Sequence, residues 1–414
     1  MHKLSVDLKT ALFFILLSHT PILSAEEIHG RIQLTGQENM ADDQSLDAQL
    51  DEQYRQDFLG DLRLTWEPRF DNWDIQVHYQ LTADHGDNVS YTQKLSPYFE
   101  QSSPVSLTDL SHTIHDGQDN NITHRLDRLA IGYSTPDYVV RVGRQTLTWG
   151  TGKMFQVMDL VAPFAPDTVD TEYKPGADMT YMQWLYEDGS DLQFALAPRR
   201  AASNHHLQWT ASTAALYYRQ TFGELNTSWL LAHDYESQMF GLGLSGALGG
   251  ASWNTEVVST RNDDGDIKVS ALANIDYALM LLEHNATVFS EYYHNGYGTH
   301  TEATYDTLPG DLLRRLDRGQ VFNLNRNYLA SGMTFEWTPL LNLSSSLIVN
   351  LDDLSAFGTA EINWSLSDNS TLLSGFQFPV GPENTEYGGV RFSQETDIYV
   401  TPAWMVYLQL RHYF

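Results

Sequence analysis

The chain of 414 residues contains no cysteine, so neither disulfides nor thiolate metal sites can hold it together. Basic residues are scarce. Only 24 Lys and Arg stand against 53 Asp and Glu, a formal net charge of −29. Such acidity makes nucleic acid a poor partner. After residue 25 the apolar runs last only a few residues, which excludes a membrane-crossing helix. Aromatics are plentiful by contrast, at 10 Trp, 22 Tyr and 18 Phe. Residues 1–25 read as a secretory signal, with Lys3 and Lys9 ahead of "ALFFILLSHTPILSA" and a cut after Ala25. Leu23 departs from the usual small residue at its position. Removing the segment takes away two Lys and one Asp, leaving 22 basic and 52 acidic residues. Two architectures suit such a chain: a periplasmic globular protein, or an outer-membrane β-barrel that hides its apolar residues by alternation.

Alternation is abundant. In "IHGRIQLTG", Ile28, Ile32 and Leu34 oppose His29, Arg31 and Gln33. In "WDIQVHYQL", Trp73, Ile75, Val77, Tyr79 and Leu81 oppose Asp74, Gln76, His78 and Gln80. These are period-two strands with one apolar face. The pattern predicts about 18 strands, 16 at the fewest, each near the length of a tilted membrane-spanning strand. The spans are 27–37, 57–67, 73–83, 125–135, 137–149, 177–187, 190–199, 207–222, 224–234, 237–248, 250–261, 268–280, 285–294, 327–338, 341–351, 355–366, 370–380 and 403–414. Links after even-numbered segments are short ("TPD", "LGG", "SDNS"). Every long link follows an odd one: 38–56, 84–124, 150–176, 295–326 and 381–402. A membrane barrel sorts its loops by parity, short on the periplasmic side and long outside; a soluble sandwich has no reason to. Trp66, Tyr133, Trp337 and Trp364 fall near the predicted periplasmic ends, where an aromatic girdle belongs. Residues 26–414 are therefore expected to form one all-β transmembrane antiparallel barrel.

The last segment, "AWMVYLQLRHYF", puts Trp404, Val406, Leu408, Leu410 and Phe414 on one face. A terminal amphipathic strand ending in Phe resembles the C-terminal signature of Gram-negative outer-membrane barrels. That resemblance implies recognition of Phe414 by the barrel assembly machinery and a setting of outer-membrane lipid and lipopolysaccharide. His412 stands where the signature has an apolar or aromatic residue. "GRQTLTWG" followed by "DLVAPFAPD" is similar to an arrangement in porin-like outer-membrane proteins of proteobacteria. The two together imply a porin-like channel in the bacterial outer membrane, with monomer and homotrimer both open.

With apolar faces toward lipid, the opposite faces line a lumen. Arg31, Arg63, Arg128, Arg141, Arg219 and Arg411 come from strands 1, 2, 4, 5, 8 and 18. Strands 11 to 16 contribute Glu256, Asp276, Glu291, Glu336 and Glu361. Opposed charged walls set up a transverse field that sorts solutes; pairing across strands is the plainer use of the same charges. Residues 150–176 hold Met154, Phe155, Leu160, Val161 and Phe164, which a solvated loop would leave in water. Burying each is worth ~1.5–3 kcal/mol. The loop is therefore expected to fold into the lumen as a constriction, with a lid on the outer loops as the other reading. Pro163, Pro166 and Pro175 stiffen it, and Gly150, Gly152 and Gly176 permit sharp bends. The candidate pore bases are Arg31, Arg63, Arg128, Arg141, Arg144 and Lys153; the candidate acids are Asp159, Asp167, Asp170 and Glu172. Arg144 faces the pore only if Gly143 marks a bulge.

The reading is passive diffusion of small solutes, with no cofactor and no metal. The acidic balance favours cations or neutral molecules, while the Arg row favours anions. Three other functions suit the same barrel: a transporter whose loop offers an apolar slot, a scaffold for a periplasmic or lipoprotein partner, and a barrel-embedded hydrolase. The last would draw on His78, His233 or His294 with Ser228 or Ser290, which no local motif ties together. His112, His115 and Asp116, and the pair His205 and His206, read as solvated loop residues rather than metal ligands.

Overall fold

The computed structural model describes residues 28–50, 52–95, 105–300 and 304–414. The expected signal segment lies outside them. The wall is a closed barrel of 18 antiparallel strands. In chain order they are β1 (His29–Met40), β2 (Tyr54–Trp66), β3 (Trp73–Gly86), β4 (Asn120–Ser134), β5 (Tyr138–Gln145), β6 (Ala177–Leu185), β7 (Asp191–Arg200), β8 (Leu207–Phe222), β9 (Leu225–Asp234), β10 (Ser237–Leu248), β11 (Ala251–Arg261), β12 (Ile267–Leu281), β13 (His284–His294), β14 (Asn327–Thr338), β15 (Leu341–Asn350), β16 (Ala356–Ser367), β17 (Ser370–Val380) and β18 (Trp404–Tyr413). Each matches a predicted segment, including 177–187, 207–222, 224–234 and 285–294, which alternate poorly. Closure alone removes the sheet edges that a bilayer cannot satisfy. It is made by β1 and β18, paired from Arg31 with Tyr413 to Met40 with Trp404. At the seam the Gly30 N–H donates to the Phe414 carbonyl (2.8 Å) and the Phe414 N–H to the Gly30 carbonyl (3.0 Å). A Cβ on Gly30 would lie 2.3 Å from the Phe414 ring, so glycine there makes room for the terminal side chain.

Alternation sorts the two faces. Ile32, Leu34, Phe58, Leu216, Leu231, Leu347, Val406 and Leu408 are exposed on the outside. Arg31, Gln33, Thr35, Arg63, Gln193 and Gln409 are buried on the inside. Trp73, Tyr138, Trp184, Phe222, Trp337 and Trp364 stand exposed at the strand ends joined by short turns, as an aromatic girdle does. The β10–β11 turn needs positive φ at both central residues and has Gly249 and Gly250 there.

The long links gather at the other end. The first carries helix α1 (Leu46–Gln49), capped by the Ser45 hydroxyl, which accepts from the Ala48 N–H (3.1 Å). Link 87–119 begins with α2 (Asp87–Leu95), and link 295–326 contains α3 (Gly310–Asp317). Leu308, Leu312, Val321 and Tyr297 close a small apolar cluster around α3.

One part of the wall departs from the simple barrel. β5 stops after eight residues and β6 starts late, so the loop-end halves of β4 and β7 lose their neighbours. Link 87–119 replaces them. Its segment Ser111–Asp116 pairs with β4 from Arg125 to Asn121, and Val105 and Ser106 pair with Arg200 and Arg199 of β7. The patch satisfies backbone groups that the chain between β5 and β6 abandons.

Candidate functional site

That chain, residues 146–176, runs inside the barrel. Trp149 stacks on Tyr217 (ring centroids 5.0 Å) and donates its indole N–H to Gln193 (2.7 Å). Gly150 has φ +98°, and a Cβ on Gly152 would sit 1.7 Å from the Phe155 carbonyl oxygen. Only glycine permits so tight a bend. The bend converges backbone N–H groups on two buried carboxylates of the wall. Glu256 of β11 accepts from the Thr151 N–H and hydroxyl, the latter at 2.8 Å. Glu291 of β13 accepts from three successive N–H groups, those of Lys153 (2.7 Å), Met154 (2.8 Å) and Phe155 (2.9 Å). Asn274 of β12 braces the arrangement, donating to Glu291 (2.9 Å) and to the Thr151 carbonyl (3.0 Å). Consecutive N–H groups aimed at one carboxylate form an anion nest, with the anion here supplied by the wall.

The apolar residues of the loop follow. Phe155 stacks on Tyr293 (4.5 Å), and Met158, fully buried, lies against Leu230, Gly241 and Val258. Val157, Leu160 and Val161 complete a core with the inward faces of β7 to β16. Part of the lumen is therefore filled, and by residues the sequence marks as too apolar for water.

The loop then reaches the opposite wall. Asp170 and Glu172 accept from Arg31 of β1 at 2.9 and 2.8 Å, with Arg411 of β18 at 3.7 and 3.8 Å. The Tyr413 hydroxyl also donates to Glu172 (2.9 Å). Tyr173 lies between two guanidinium groups, Arg31 at 4.8 Å and Arg63 at 4.2 Å from its ring centre. A β-bulge in β4 turns both Asp127 and Arg128 inward. Asp127 gathers Arg63 (2.8 Å) and Arg128 (2.6 Å) and accepts from the Gly176 N–H (3.3 Å), while Arg128 donates to the Lys174 carbonyl. Burial alone would raise the Asp170 carboxyl, but hydrogen bonding and attraction from Arg31 outweigh it and hold it below the usual range.

Each residue singled out in the sequence can now be placed. Arg31, Arg63 and Arg128 face inward but are buried in ion pairs. Arg141 pairs with Asp74 (2.9 Å) and keeps a partly exposed side chain. Lys153 reaches Asp276 of β12, on the same wall as Glu291 (2.8 Å), and stays partly exposed. Arg144 is on the other side of the wall from Arg141 and Gln145. Gly143 has φ +126° yet the pairing with β4 keeps its register, so alternation carries Arg144 away from the lumen. There it is buried against Asp178 (3.0 Å) and the Thr108 carbonyl (2.7 Å) of the patching link. Asp159 does not reach the Arg wall either; it pairs with Lys174 within the loop. Burial pushes that carboxyl up and that ammonium down, both toward their neutral forms. Asp167 is exposed, and its backbone carbonyl accepts from the Gln377 side-chain amide (2.8 Å).

On the turn side of the loop a cavity of about 750 Å³ opens between β5 and β10, roofed by residues 146–151. Its free surface is polar, with Arg141, Gln183, Asp191, Gln193, Arg219 and Asn226. The residues considered for hydrolysis do not assemble. His78 bonds to Glu67 (2.8 Å), His233 to the Trp209 carbonyl (3.3 Å) and His294 to Asn327 (2.9 Å). Ser290 faces Ser331 (3.1 Å), and the Ser228 hydroxyl lies 4.0 Å from the Met158 sulfur. Among the described residues no group of three or more His, Cys, Asp or Glu could hold a metal ion.

A closed antiparallel barrel with an apolar outside, a polar inside and a loop folded across the lumen is the architecture of bacterial outer-membrane channels. Solved structures share it. The chain is similar to OccAB1 of Acinetobacter baumannii (TM-score 0.56, 10% identity, covering 94% of this chain and 97% of that one). It is also similar to a BenF-like porin from Pseudomonas fluorescens (0.56, 9%, 95% and 99%) and to OccK2 of Pseudomonas aeruginosa, solved in complex with glucuronate (0.52, 10%, 95% and 98%). At these identities the likeness is one of fold. No protein-family model and no curated protein matches the sequence. Sequence reasoning missed three parts of the site: the backbone grip of Glu256 and Glu291, the bulge at Asp127, and the place of Tyr173 between two arginines. The glycines at 150 and 152 are the signal that could have shown the first.

Proposed function

We propose that the chain is an outer-membrane channel for passive diffusion of small polar solutes, with residues 150–176 as its constriction, and that it is not an enzyme. One observation carries the reading: the loop is tied to both walls, to Glu256 and Glu291 on one side and to Arg31 and Arg411 on the other. A lid over the outer loops would need neither anchor. Solute is oriented between the remaining exposed or partly exposed charges, Arg141, Lys153 and Arg219, and leaves because no group binds it tightly. The apolar slot expected of a greasy-substrate transporter is disfavoured, because Phe155, Met158, Leu160 and Val161 are already covered. For assembly, the exposed Phe414 at the closing seam supports recognition by the barrel machinery.

The test is conductance of the refolded mature chain in a planar lipid bilayer under a salt gradient. Discrete steps are expected, larger when residues 154–170 are deleted, and the reversal potential reads the dominant charge. A folded barrel that stays silent both with and without the deletion would sink the proposal.

A further inference from the structure

On the loop-end side of the Arg31 knot lies a separate cavity of about 260 Å³, between β1, β2, β3, β18 and the crossing loop. Its polar lining is one-sided. Three side-chain amides each direct an N–H within the protein: Gln37 donates to Asp57, Gln80 to Asp61, and Gln409 to the Thr35 hydroxyl (3.0 Å). The Gln80 and Gln409 carbonyl oxygens are taken by Arg125 and Arg411, both at 2.7 Å. Asp61 and Asp170 share Arg31 as the floor. Two acceptors remain without a donor. Gln33 is only 8% exposed, and its Oε1 is buried with no hydrogen-bond partner. Asp84 has no hydrogen-bond or ion-pair partner among the described residues. The β2–β3 register places Leu59 opposite Asp84, so Asp57 and Asp61 flank it on the neighbouring strand and add to its negative field.

A buried acceptor without a donor is costly unless a ligand supplies one. An anion is refused by the carboxylates. A hydroxyl group brings acceptor lone pairs as well as its donor, and a bare metal ion lacks a cluster to hold it. A primary ammonium carries three donors, no acceptor and one positive charge. We propose that this cavity is a binding subsite for the primary ammonium group of a small organic solute, with Asp84 supplying the counter-charge and Gln33 Oε1 a hydrogen-bond acceptor. The inference deepens the channel reading and rests on it only for the route by which solute arrives.

The experiment measures binding apart from conduction. The folded full-length mature barrel in detergent is titrated with ethanolammonium, and with tetramethylammonium, which has the charge but no N–H, by saturation-transfer NMR. Ethanolammonium is expected to bind at about millimolar Kd and tetramethylammonium about fivefold more weakly. Asp84→Asn and Gln33→Met, each confirmed folded by its melting temperature, are each expected to weaken ethanolammonium about fivefold. Equal affinity for the two cations, or ethanolammonium binding unchanged in both variants, overturns the subsite. Bilayer recordings separate the two readings. Current steps without Asp84-dependent binding leave the channel and remove the subsite; Asp84-dependent binding in a silent barrel does the reverse.

Discussion

The two ends of the crossing loop are held by opposite chemistry. At its start, wall carboxylates grip the backbone: Glu291 takes three N–H groups and is fully buried. At its end, wall guanidinium groups grip loop side chains: Arg31 takes Asp170 and Glu172, whose carboxylates stay partly exposed. The first grip depends on the path of the chain and hardly on its side chains. The second depends on two particular acids and on the water and salt around them. The difference divides the loop into a fixed half, cemented by the apolar core around Met158, and a half that solution conditions can loosen.

Breaking the fixed half should have the largest effect. Glu291→Ala leaves three N–H groups without an acceptor, each worth about 1–3 kcal/mol when stranded. The expected result is a severalfold larger conductance step and fast hydrogen exchange at residues 153–155. Slow exchange there in the variant would show that the nest is not what holds the loop. Phe155→Ala follows, removing the ring stacked on Tyr293 at a cost of about 3 kcal/mol, local to the loop. Its measure is protease cleavage within 150–176, which should appear while the barrel still melts as one unit. Arg31→Gln is milder, about 1–2 kcal/mol, because Asp170 and Glu172 can take up water in exchange. It should raise current noise without changing exchange at 153–155, and high salt should mimic it in the unaltered protein. If Arg31→Gln and Glu291→Ala gave the same exchange pattern, the division into two halves would be wrong.

The same division explains what could be read in advance. All 18 strands were legible because alternation is a local signal that a lipid-facing wall must obey. The inward course of the loop was legible from Phe155, Leu160 and Val161, since apolar side chains report where they want to be. The Arg wall was legible as residue types. The grip of Glu291 was not: its partners are backbone N–H groups, which every residue but proline carries, so no side chain announces them. Arg144 was ambiguous for a related reason, because a glycine at 143 suggests a bulge that only the pairing with β4 can refute. The patch made by Val105–Ser106 and Ser111–Asp116 was hidden too, since strands this short, exposed on both faces, carry no periodic pattern.

The smallest expected effect is a pH response of opposite sign in two loops. Asp170 is held below the ordinary carboxylate range by Arg31, so its contribution is present above that range and fades as pH falls through the lowered value. Current noise from the loop end should rise below about pH 4, and Arg31→Gln should abolish that rise. Glu386, in link 381–403, behaves the other way. It is buried, which pushes its carboxyl up to about 7 against the opposing hydrogen bonds from the Tyr328 hydroxyl and the Leu324 N–H. Its protonated form is the one the fold prefers, so the link is most firmly seated below about pH 4.5. That seating weakens as pH rises toward 7 and changes little beyond, because folded and unfolded states are then both ionised. Hydrogen exchange at Leu324 and Glu386, followed from pH 5 to 8 and corrected for intrinsic rate, should show lost protection. Glu386→Gln, which holds no charge at any of these values, should flatten the profile. A profile that stayed steep in Glu386→Gln would assign the response to another group. A chain that loosened both loops in the same direction would show that the anchors are not independent, since Tyr387 beside Glu386 also packs on the apolar core of the crossing loop.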